Sequence, residues 1–112
     1  MNLEKTYNEG GVVSAAEAMG VTEFQMRLGK CYAYANRNES TEFPDEYRVN
    51  YEELTQGIER MNCAENVRTV MRLRYRYGHK FVDISRILAL TYQWVYSLHN
   101  KGVCLLEKHL TV

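Results

Sequence analysis

Apolar residues recur along this chain at helical intervals. Val67, Val70, Met71 and Tyr75 fall on one stripe, and Val95, Leu98, Gly102, Leu105 and His109 line one side of a later segment. Start and stop signals divide the pattern into helices over 2–8, ended by Gly10 and Gly11, over 12–19, ended by Gly20, and over 23–35, with Thr22 as N-cap. A fourth helix is expected to run from Asn50, where Glu53 sits in capping-box register, to about Met61. Three more follow: 64–77, closed by Gly78, then 80–89, then 92–109, capped by Thr91. The polar run NRNESTEFPDEYR, residues 36–48, holds the only proline and reads as a connection. The chain therefore divides into an N-terminal helical block over 1–36, a linker over 37–49 and a second helical block over 50–112.

Composition supports an all-α fold. A length of 112 residues suits one compact helical domain, and one proline with seven glycines leaves little scope for a turn-rich β-structure. No apolar run reaches the roughly 18 residues that would span a bilayer. The start MNLEKTYNEG lacks a signal-peptide layout, so a cytoplasmic protein without a membrane partner is expected. Cys31, Cys63 and Cys104 are odd in number and widely spaced, which reads as free thiols. His99, Cys104 and His109 would spread around a helix axis, so no metal site is expected, and no cofactor motif is present.

The last two segments fit a helix-turn-helix. Such a pair needs small residues where the helices cross and at the turn, and apolar residues at the shared core. Counting from Phe81, the fifth and ninth residues are Ser85 and Ala89, both small. Ile84, Leu88, Leu90, Val95 and Leu98 fill the fourth, eighth, tenth, fifteenth and eighteenth positions. Ala89 departs from the usual glycine, which tolerates a positive φ.

Helical geometry then leaves Thr91, Tyr92, Gln93, Tyr96, Ser97, Asn100 and Lys101 on the outer face of the second helix. Gln93 and Asn100 can pair bidentately with adenine, and Thr91 and Ser97 can bond to bases or phosphates. Lys80, Arg86 and Lys101 would neutralise phosphates and set the register. Tyr92 fits either packing or readout. Trp94 is expected to anchor the helix on its neighbour, and His99 sits beside the outer face. Formal net charge is zero, but it is unevenly spread. Residues before 51 carry −3 and the rest +3. Residues 66–101 set Arg68, Arg72, Arg74, Arg76, Lys80, Arg86 and Lys101 against Asp83 alone.

The segment VRTVMRLRYRYGHKFVDISRILALTYQWVYSLHNKGVCLLEKHL, residues 67–110, resembles the sigma-70 region 4 type of helix-turn-helix. It is similar in particular to small bacteriophage regulators of the ArpU and RinA type, and more faintly to phage late-gene antitermination Q proteins. The likeness covers roughly residues 53–110. It implies a late-gene activator or antiterminator that binds double-stranded DNA and works with RNA polymerase.

A second, weaker helix-turn-helix can be counted from Val12, with Ala16 and Gly20 at the small positions. Ala15, Met19, Val21 and Met26 fill core positions, but Gly29 is wrong for the eighteenth. Its outer face would carry Thr22, Glu23, Phe24, Arg27 and Leu28, which suits a packing, dimerisation or partner-binding hairpin as well as a second DNA reader, and a homodimer would cover a longer site. Two other readings compete with transcription control: an antirepressor or polymerase-binding inhibitor acting by protein contact, and a small-terminase-like packaging adaptor. No phosphate loop, nucleophile elbow or H-E-x-x-H run marks an enzyme.

Overall fold

A computed structural model describes residues 22–37 and 42–111. These residues form helices and connections, with no strand among them. The helices expected over 2–8 and 12–19 lie outside the described residues.

Helix α1, Glu23–Ala35, begins where the sequence places it. Thr22 accepts a hydrogen bond from the Gln25 amide, and the Gln25 side chain accepts one from the Thr22 amide. This reciprocal capping satisfies two otherwise unpaired N–H groups. Phe24, Leu28 and Cys31 form its buried stripe. That finding bears on the weaker motif counted from Val12. Phe24 and Leu28, expected on its outer face, are core residues, while Gly29 is exposed. Arg27 is held by Asn50 and Glu53.

Helix α2, Asp45–Arg60, starts five residues before the expected Asn50, inside the segment read as linker. Pro44 precedes it, and Asp45 and Glu46 in its first turn complement the helix dipole. Asn50 is therefore no cap. Its side chain accepts from Arg27 Nε at 3.0 Å and donates to the Arg27 carbonyl at 2.7 Å, fastening α2 to α1. Leu54 and Ile58 enter the core.

Helix α3, Glu65–Met71, runs directly into a π-helical turn, Arg72–Arg76, where a regular helix to 77 was expected. The expected stripe of Val67, Val70, Met71 and Tyr75 is buried. Carbonyls at the end of this wide turn find distant partners. Tyr51 Oη donates to Arg76 at 3.0 Å, and Cys31 Sγ donates to Tyr75 at 3.5 Å. Burial pushes the Cys31 thiol up to about 12, so it stays protonated. Gly78 then closes the segment with φ +72, so close to α1 that a Cβ there would lie 2.6 Å from the Ala35 backbone.

Helices α4, Phe81–Leu88, and α5, Tyr92–Leu110, complete the fold. Val95, Leu98, Gly102 and Leu106 of α5 are buried against the rest of the molecule. The expected stripe is thus right for its first three members, after which Leu106 replaces Leu105 and His109 is exposed. The backbone of α5 approaches α3 closely because Gly102 has no side chain. A Cβ at that position would sit 2.5 Å from Met71 Cγ. One core joins residues from every helix, including Phe24, Leu54, Met71, Ile84 and Val95. Among the described residues no helix is long and apolar enough to cross a membrane.

Candidate nucleic-acid interface

The α4–α5 pair is joined by Ala89, Leu90 and Thr91. Ala89 adopts the left-handed conformation, φ 54 and ψ 41. The Leu90 amide donates to the Ser85 carbonyl at 3.1 Å and the Ala89 amide to Arg86 at 3.3 Å, which is the Schellman arrangement. An alanine thus occupies the conformation that glycine usually supplies. Ser85 Oγ also donates to the Leu90 carbonyl, bracing the turn from the small fifth position. Ile84, Val95 and Leu98 are buried, and Leu88 and Leu90 pack against the same core. Every apolar position of the sequence count therefore serves the contact assigned to it. Thr91 then caps α5, its hydroxyl oxygen accepting from the Trp94 amide at 3.1 Å.

The outer side of α5 is open among the described residues. Thr91, Tyr92, Gln93, Tyr96, Ser97, Asn100 and Lys101 are all exposed, and so are Lys80 and Arg86. Trp94, expected as a partly buried anchor on the preceding helix, is half-exposed, at 51%. Phe81 packs α4 against α5. Its ring meets Tyr92, Tyr96 and His99 edge-on, at centroid distances of 6.4, 5.4 and 4.8 Å. The guanidinium of Arg74 lies between the Phe81 and Tyr32 rings, 3.9 and 3.6 Å from their centroids. This stack ties α1, the π-turn and α4 together.

Beneath the outer face runs a short polar relay. Tyr75 Oη and His99 Nε2 are 2.6 Å apart, and His99 Nδ1 and Asn100 Oδ1 are 3.4 Å apart. Burial, aided by the nearby Arg74 charge, lowers the His99 pKa to about 4, so the imidazole is neutral near pH 7. A neutral ring accepting the Tyr75 proton at Nε2 carries its own proton on Nδ1, facing Asn100. His99 thus orients Asn100 and supplies no charge for a phosphate. Burial likewise raises the Tyr75 phenol well above its ordinary value.

The positive charge counted along the sequence divides into two groups. Arg68 donates to the Ile58 and Met61 carbonyls, Arg72 pairs with Glu59 through two bonds of 2.7 Å, and Arg74 is stacked. The Arg72 partner holds the Glu59 carboxyl below the usual range. Arg76, Lys80, Arg86 and Lys101 are exposed, with Arg86 only loosely near Asp83, at 4.0 Å. The mutual contacts of Phe81, Arg74, Tyr75 and His99 are what sequence reasoning missed. The residues in contact lie up to tens of positions apart, and no spacing announces them.

By fold the described residues belong to the class of all-helical domains, with one side of the last helix turned outward. The chain matches no family model, and no curated protein or solved structure is significantly similar to it.

Proposed function

We propose that this chain is a transcription regulator that binds double-stranded DNA with sequence preference, placing α5 in the major groove. One observation carries this reading. The outward face of α5 is exposed from Thr91 to Lys101, and residues 84–106 contain no aspartate or glutamate. An acid-free face with amides, hydroxyls and flanking cations suits base edges and phosphates together. Gln93 and Asn100 are the base-reading candidates, helped by Thr91, Tyr92, Tyr96 and Ser97. Lys80, Arg86 and Lys101 contact phosphates. The likeness of residues 67–110 to phage regulators extends the proposal to late-gene activation or antitermination alongside RNA polymerase.

A second reading, a protein-contact module, draws on Val82, Ile87 and Trp94, which are 45%, 54% and 51% exposed. Half-exposed large apolar residues favour protein contact over solvent.

Selection of bound duplex from a random pool tests the first reading. A defined site should emerge, and affinity for it should fall steeply with salt. Gln93→Ala and Asn100→Ala should each lose about 1–3 kcal/mol of base discrimination. Arg86→Ala should weaken binding to all sequences and reduce the salt slope by about one. Recovery of no preferred site, or salt-insensitive binding, would overturn the proposal.

A further inference from the structure

Tyr92, Gln93, Tyr96 and Ser97 line a shallow cleft on the outward side of the first turns of α5. Two rows form it, each of residues four apart: a tyrosine row, and an amide–hydroxyl row. The tyrosine rings lie nearly parallel, 22° apart, with centroids 6.1 Å apart. Phe81 meets both edge-on, at 82° and 61°, and so fixes their attitude from below. They are 50% and 46% exposed, so a large apolar surface is held rigid and open to solvent. Among the described residues no charged one lines the cleft.

Resting on the duplex-reading proposal above, we infer that this cleft receives the C5-methyl group of a thymine, next to an adenine bound by Gln93. The methyl is the one apolar group that base pairs present in the major groove. A rigid ring pair on a groove-facing helix has no other apolar complement there. Gln93, on the opposite row, offers the donor and acceptor that match adenine N7 and N6. The two rows together specify an A·T-containing step by shape as well as hydrogen bonding. Cytosine in the thymine position leaves the rings against a polar edge and bare solvent.

The test uses the full chain and the duplex recovered from the random-pool selection, with affinity followed by fluorescence anisotropy. Each thymine is exchanged singly for deoxyuridine, which removes the methyl and keeps the pairing. One or two exchanges should weaken binding about fourfold each, the worth of one buried methyl. Tyr96→Ala, checked for an unchanged helical spectrum, should bind the thymine and deoxyuridine duplexes equally well, whereas Tyr96→Phe should keep the difference. Should every deoxyuridine duplex bind like the parent while site preference and salt dependence persist, the methyl assignment fails and the duplex-reading proposal stands. Equal binding of the single strand and the duplex would overturn the assignment in favour of base stacking on the rings. Absence of any preferred duplex would end both.

Discussion

Ala89 is the residue on which the α4–α5 turn depends most directly. Its φ of 54 lies in the left-handed region, where a Cβ crowds the following carbonyl and costs about 1–2 kcal/mol. Ala89→Gly should relieve most of this, offset in part by the greater freedom of glycine in the unfolded chain. The expected result is a gain of about 1 kcal/mol, read as a higher urea midpoint with an unchanged slope. A lower midpoint would show that the methyl makes a contact worth more than the strain. The requirement for a small residue at this position was legible in the sequence; that an alanine would take a positive φ there was not. Asn50 gives the opposite lesson. Its local pattern with Glu53 imitates a helix start, but the side chain is used 23 positions away, on Arg27.

Among the elements, α2 and α3 are coupled through an arginine. Arg68 donates to the Ile58 carbonyl and, at 3.0 Å, to the Met61 carbonyl. Those groups end α2 and have no partner within the helix. Arg68→Met keeps the apolar stem but leaves both carbonyls partly buried and unpaired, and should cost about 2 kcal/mol in urea or thermal unfolding. A loss no larger than that of Arg48→Met, whose ion pair with Glu52 is exposed, would show that water serves the carbonyls equally well. Apolar stripes located α3 and α5, while the Thr22 cap marked α1 and the helix-turn-helix count marked α4. Periodicity could not show the π-turn at Arg72–Arg76, whose last two carbonyls accept from Cys31 and Tyr51 of other helices. The early start of α2 was hidden for a related reason. Asp45, Glu46 and Arg48 are polar because that turn faces water, and a solvated helical turn looks like a loop in sequence.

For the molecule as a whole, the Tyr75–His99 contact joins the π-turn to α5, and the burial of His99 there makes stability depend on pH. The folded state holds His99 near a pKa of about 4, against 6.5 for the free side chain. The unfolded chain therefore takes up this proton first as pH falls. The contribution is complete above about pH 6.5 and is lost progressively towards pH 4, on the order of 3 kcal/mol in total. Urea unfolding across that window should show the decline in the parent and a flatter profile in His99→Gln. Matching profiles would mean that carboxylates such as Glu59 account for the acid sensitivity. The two sides of α5 also carry separate duties. Val95, Leu98, Gly102 and Leu106 face the core, while Gln93, Ser97 and Lys101 face solvent. Residues of the second group can change without disturbing a buried neighbour. On the proposed duplex-reading function, the scaffold would be free to acquire a new target preference one side chain at a time while the architecture stands still.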